Sequence, residues 1–157
     1  MGFMDTLRSM KNAMTGGGAK VQLDVGTPVR GMPLAVQVKA IVGDADLKID
    51  KVYVHVEGIE TIEMEVAVKS NDAKETVNNN TERRSQEAST YHQEVVLTGA
   101  QMLNAKQEYT WEGTVQLPES VLPTYKGVNA KHEWRLAAGL STMGNDPDSG
   151  WVTIEIK

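Results

Sequence analysis

The side chains able to do acid–base, nucleophilic or metal chemistry are few and scattered. The chain of 157 residues holds three histidines and no cysteine, which removes disulfides, thiolate metal sites and thiol nucleophiles together. His55, His92 and His132 fall on separate predicted strands. None has a second histidine four residues away on a helix with a glutamate between, the spacing that a zinc hydrolase needs. No Gly-x-Ser-x-Gly elbow accompanies them, so no serine is set up for activation by an imidazole. Asp44, Asp46 and Asp50, and Asp146 with Asp148 around Pro147, are oxygen donors in loops but do not follow the calcium-loop pattern. Aspartates there are expected to bond their own backbone in turns. Gly16-Gly17-Gly18 lacks the lysine and hydroxyl ending of a phosphate loop. Arg83-Arg84 lies among acidic residues and reads as a solvated pair. No catalytic residue, cofactor or metal ion is therefore expected, and His132, in phase with Trp134, is expected to be a hydrogen-bonded core histidine.

The elements that would carry these groups are strands. From Val21 onward apolar residues recur with period two, the mark of half-buried strands. Val21, Leu23 and Val25 form one such run, and Leu34, Val36, Val38, Ala40 and Val42 form the next. Val52, Val54 and Val56 follow, with Lys51, Tyr53, His55 and Glu57 opposite. The alternation falters near Gly58, where a bulge or a tight hairpin is expected, and resumes at Ile62, Met64, Val66 and Val68. Val95 and Leu97 belong to a later strand, and Tyr109, Trp111, Val115 and Leu117 to another. Val128, Ala130, His132, Trp134 and Leu136 share a face, and Val152, Ile154 and Ile156 end the pattern. Trp111 and Trp134 should be buried, and Trp151, out of phase with its strand, should face outward. Seven to nine short antiparallel strands with Gly, Pro, Asn and Asp between them predict an all-β, two-sheet immunoglobulin-like sandwich.

Two segments stand outside that pattern. Phe3, Leu7, Met10 and Met14 lie on one face of a short predicted helix that Gly16-Gly17-Gly18 ends. So short a helix needs a surface to bury that face. Its own domain is the expected one, and a neighbouring molecule, a partner groove or a membrane interface are the alternatives. The chain accordingly divides into a helix and glycine linker over residues 1–18 and a sandwich over 19–157. The polar stretch from Ser70 to Thr90 offers almost nothing to bury, and is expected to be the most mobile part or an extended hairpin projecting from the body.

The segment LTGAQMLNAKQEYTWEGTVQLPESVLPTYKGVNAKHEWRL resembles the arrestin-like N-terminal sandwich. It has an aromatic-rich strand, then Leu117-Pro118, then the Pro-x-Tyr-x-Gly turn of Pro123, Tyr125 and Gly127, then another aromatic strand. GTPVRG and KIDKVYVHVEGIETIE resemble earlier turns and strands of that family. The short helix followed by GGGAKVQLD is most similar to bacterial sporulation-control proteins. Members commonly carry a second sandwich, for which this length leaves no room. The resemblance implies a cytoplasmic adaptor or regulatory scaffold without enzymatic activity. Gly127 is expected to hold a turn, with a positive φ as one option, and Tyr125 to cover the end of the core.

Physical chemistry leads to the same class. A net charge of −5 with interleaved signs provides no cationic stripe for nucleic acid. No apolar stretch is long enough to span a bilayer. A sandwich without catalytic groups recognises partners through edges and loops. The expected function is a non-catalytic protein-binding adaptor in the cytoplasm, with a protein partner and a peripheral membrane contact through the helix as a further option. The alternative is a structural subunit that forms homo-oligomers through sheet edges or the helix.

Overall fold

The computed structural model describes residues 17–68 and 81–157. The predicted helix with Phe3, Leu7, Met10 and Met14 lies outside the described residues, as do residues 69–80 of the polar stretch. The described residues form ten strands: β1 (Ala19–Val25), β2 (Pro33–Val42), β3 (Leu47–Ile49), β4 (Lys51–Ala67), β5 (Thr81–Thr98), β6 (Gln101–Leu103), β7 (Glu108–Gln116), β8 (Tyr125–Lys126), β9 (Ala130–Ser141) and β10 (Val152–Ile154). One sheet has the order β1-β2-β7, the other β10-β9-β4-β5 with β8 on the end of β9, and β3 and β6 form a short ribbon. All pairings are antiparallel. The fold is the expected all-β sandwich.

Period-two alternation builds the interior. Val21 and Leu23 of β1, Leu34, Val36, Val38, Ala40 and Val42 of β2, and Val115 of β7 are buried from one sheet. Val52, Val54 and Val56 of β4 and Trp134, Leu136, Ala138 and Leu140 of β9 meet them from the other. These β-branched and aromatic side chains fit a pleated, half-buried surface, which is why they form strands here. Ile49 and Leu103, from the short ribbon, and Leu117, just past β7, complete the core. The ribbon is too short to leave a periodic signature.

Several expectations are corrected by where the sheets end. Ile62, Met64 and Val68 are exposed and Val66 is half-buried, although Ile62, Met64 and Val66 keep the expected alternation along β4. The reason is reach: β9 pairs with β4 only from Lys51 to Ile62, while β4 and β5 run on together to Ala67 and Thr81. Residues 81–90, the described part of the polar stretch, lie in this two-stranded arm or at its base, as an extended hairpin would place them. Val128 is 91% exposed and precedes β9, because residues 127–130 form a turn closed by the Gly127 amide donating to the Ala130 carbonyl at 2.7 Å. Gly127 does not have a positive φ; the positive-φ glycines are Gly18, Gly31 and Gly150. Trp134 is fully buried as expected, but Trp111 is only half-buried, packed at the margin of the core beside Tyr109. Trp151 is 47% exposed, with the Arg135 guanidinium over its ring.

Near Gly58 the faltering alternation is a bulge, and β4 continues through it. Gly58 pairs with Tyr91 and Ile59 with Ser89, so Thr90 is an extra residue in β5. A second irregularity falls between Val52, paired with Thr98, and Tyr53, paired with Val96. The extra residue there is Leu97, whose side chain reaches across to β7, where a Cβ on Gly113 would come within 2.4 Å of it. Both bulges turn one additional side chain inward from an edge strand.

Candidate functional site

The Thr90 bulge organises the end of the sandwich where the β4–β5 arm leaves the body. His132 and Trp134, two apart on β9, point inward side by side with ring centroids 5.4 Å apart and interplanar angle 76°. The His132 Nδ1–H donates to the Pro123 carbonyl at 3.1 Å. In the neutral ring this leaves Nε2 as an acceptor for the Thr90 hydroxyl, 2.6 Å away. The Trp134 indole N–H donates to the Leu122 carbonyl at 2.7 Å. A buried imidazole and indole each need a partner, and here the partners are consecutive carbonyls of one connection. Farther along, the Thr124 amide donates to the Ile156 carbonyl and the Ile156 amide to the Thr124 hydroxyl. The connection between β7 and β8 is thereby stitched onto β9 and the chain's last residues.

This gives the family-like motif its physical content. Leu117 is buried, and the Pro118 carbonyl accepts from Val121 to make a turn. Pro123 supplies the carbonyl for His132. Tyr125 stacks on His132, centroids 6.0 Å apart, and its hydroxyl donates to Glu60 at 2.6 Å. That acceptor raises the Tyr125 phenol above its ordinary pKa. Tyr125 thus covers the imidazole while keeping about a third of its own surface exposed. Between the Thr90–Tyr91 segment of β5 and this connection lies a groove of about 200 Å³, lined by Thr90, Tyr91, Pro118, Val121, Leu122 and Trp134, with Ser120 at its rim. Leu122 is 45% exposed. Among the described residues β5 pairs with β4 alone, so the groove lies beside an unpaired strand edge.

The remaining polar side chains singled out from sequence are held on the outer face of the β4 sheet or in turns. Glu94 accepts from Lys51 and lies 3.0 Å from His55 Nε2. The Lys51 and His55 contacts hold its carboxyl below the ordinary range. His92 lies near Glu57, which also takes the Arg135 guanidinium. His55 is half-exposed, with its ring against Tyr53. The Tyr53 phenol donates to Asp146 at 3.0 Å. Its burial and that hydrogen bond push its pKa up to about 12. Asp146 and Asp148 accept from the amides of Thr142 and Gly150, the turn chemistry read from the sequence, whereas Asp46 accepts from the amide of Ala105 in the distant connection between β6 and β7. Arg83 and Arg84 are exposed and pair with Glu63 and Glu82. Among the described residues no three His, Asp or Glu side chains converge as a metal site. No helix among the described residues is long and apolar enough to cross a membrane.

The sequence pointed to Leu117, Pro118, Pro123, Tyr125 and Gly127; of these Pro118 lines the groove, while Gly127 borders a separate hollow beside Asn129 and Lys131. It pointed to an irregularity at Gly58 but not to Thr90. A faltering alternation at Gly58 was the one signal, because a bulge's partner strand cannot be read from a single strand.

The architecture is an antiparallel two-sheet β-sandwich. The solved structure of the sporulation control protein Spo0M from Bacillus subtilis is similar to it, with TM-score 0.60 over 90% of this chain and 16% sequence identity. The chain spans about half the length of that protein. No family model and no curated protein matches the sequence. At this identity the likeness is one of fold.

Proposed function

We propose that this chain is a non-catalytic recognition module that takes an extended segment of a partner protein into the groove between β5 and the connection from Pro118 to Leu122. The observation that carries the reading is the groove's composition and place: apolar side chains, a rigid floor at Trp134 and an unpaired strand edge alongside. Strand addition supplies main-chain hydrogen bonds, and a pocket for alternate side chains supplies selectivity. The groups with catalytic potential are committed elsewhere, with His132 saturated between Thr90 and Pro123. A regulatory adaptor role, in the manner of sporulation control, accords with the fold likeness.

Selection of a random peptide library on the purified protein tests this. Enriched peptides should carry a large apolar residue in an extended sequence. Leu122→Glu, at a half-exposed lining position, should weaken them at least about tenfold, the scale of losing one apolar anchor while introducing a charge. Met143→Glu, in a fully exposed loop, should leave binding unchanged. Absence of enrichment, or equal binding by Leu122→Glu, would refute the groove as the site.

A second reading, a subunit that assembles with copies of itself, is favoured by the length of the unpaired edge of β5.

A further inference from the structure

The outer half of that edge has a pattern of its own. From Thr81 to Ser89 the nine residues of β5 pair with β4 without a register shift, Thr81 with Ala67 and Ser89 with Ile59. The bulge at Thr90 ends this regular stretch, whose middle residue is Ser85. All nine are exposed. The Glu63 amide donates to Asn129 at 2.7 Å, turned away from β5. Glu63 and Ser85, which face each other, are therefore a pair that exchanges no hydrogen bonds. In an antiparallel ladder the backbone groups of such a residue point away from its partner, and alternate residues repeat this. Thr81, Arg83, Ser85, Glu87 and Ser89 consequently present N–H and C=O to the unpaired edge.

We infer that this edge is a self-complementary docking strand for a second copy of the chain, the two β5 strands running antiparallel about a two-fold axis through Ser85. The inference rests on the self-assembly reading. In this register Arg83 faces Glu87 of the other copy and Glu87 faces its Arg83. Thr81 faces Ser89, and Ser85 faces itself. Shifting the axis to Arg83 sets two arginines against each other, although it brings Glu82 opposite Arg84, and shifting it to Glu87 sets two glutamates against each other. With the axis at Arg84 or Gln86, neither charge meets its opposite. The axis at Ser85 is the one among these that pairs opposite charges without opposing like ones, and it is also the midpoint of the bulge-free stretch. Five outward residues on each strand exchange about ten backbone hydrogen bonds. An isologous contact of this kind closes at two copies, since it consumes the edge. Arg83 keeps Glu63 on its own arm as a second carboxylate, 2.9 Å away.

Sedimentation equilibrium of the whole chain at low ionic strength, where exposed ion pairs are least screened, tests the inference. The parent should populate a dimer. Arg83→Glu and Glu87→Arg each place two like-charged pairs at the interface, and should raise the dissociation constant at least about tenfold. The double variant carrying both reversals restores opposite charges in the same register and should restore the dimer. Ser85→Pro removes an outward amide without removing a bond to β4, and should give monomer with an unchanged circular dichroism spectrum. A parent that stays monomeric at all concentrations overturns both the docking strand and the self-assembly reading. A dimer indifferent to the single reversals, or a double variant that stays monomeric, overturns the docking strand and leaves self-assembly by another surface. Leu122→Glu, in the groove, should not alter the mass, so failure of the peptide-binding reading is seen separately.

Discussion

The Thr90 hydroxyl is the polar partner of a fully buried imidazole nitrogen, so its removal leaves an unsatisfied acceptor in the core. Thr90→Val should destabilise the domain by about 1–3 kcal/mol, read as a fall in denaturant midpoint at unchanged slope. Gly58 lies beneath the same cluster: a Cβ there would come within 2.7 Å of Thr90 Oγ1, 3.1 Å of the Trp134 ring and 3.2 Å of His132 Nε2. Gly58→Ala should cost about 1–3 kcal/mol by overpacking, and native-like melting of that variant would contradict the geometry. Tyr53 supplies a pH signature. Its folded pKa of about 12 exceeds the ordinary phenol value of 10.0, so the folded form binds the proton more tightly. The resulting stabilisation is fully present below pH 10 and is lost as pH rises toward 12. Alkaline melting curves should therefore fall less steeply with pH in Tyr53→Phe than in the parent, and one late-titrating phenol should vanish from its ultraviolet titration. At this scale the sequence was legible where a residue's own phase decided its fate, as at His132 and the turn aspartates. It was silent on Thr90, whose role depends on a strand forty residues away.

Among the elements, phase along a strand was readable but reach was not. The alternation of β2 and of Lys51 to Glu57 in β4 fixed the buried faces correctly, because one face of each is covered along that length. Ile62 and Met64 continue the phase and remain exposed, because whether an opposing sheet extends that far is a property of the other strands. Trp111 and Trp134 illustrate the difference. Both are in phase, yet Trp134 lies in the middle of a central strand while Trp111 sits on β7, an edge of its sheet. Trp134→Ala should cost about 3–5 kcal/mol through the cavity it leaves. Trp111→Ala should cost about 1–2 kcal/mol, the share set by partial burial. Equal costs measured by chemical denaturation would contradict the edge position of β7. The strand-end motif from Leu117 to Gly127 was visible as a run of Pro, Tyr and Gly. Its purpose, to present two carbonyls to His132 and Trp134, appears only when β9 is beside it.

For the molecule as a whole, the sandwich brings an apolar groove, a bulge and an unpaired edge together at the end from which the β4–β5 arm projects. The presence of three histidines and no cysteine was evident from composition alone. The groove was not, since Thr90 and Leu122 are far apart in sequence and ordinary in type. Recognition at this groove is the central claim, and hydrogen–deuterium exchange of the whole chain with and without a library-selected peptide tests it most directly. Slowed exchange at Thr90, Tyr91 and the amides of Ser120, Val121 and Leu122, absent in Leu122→Glu, is the predicted result. Protection confined to the outer face around Tyr53, His55 and Trp151, or none anywhere, would contradict the account.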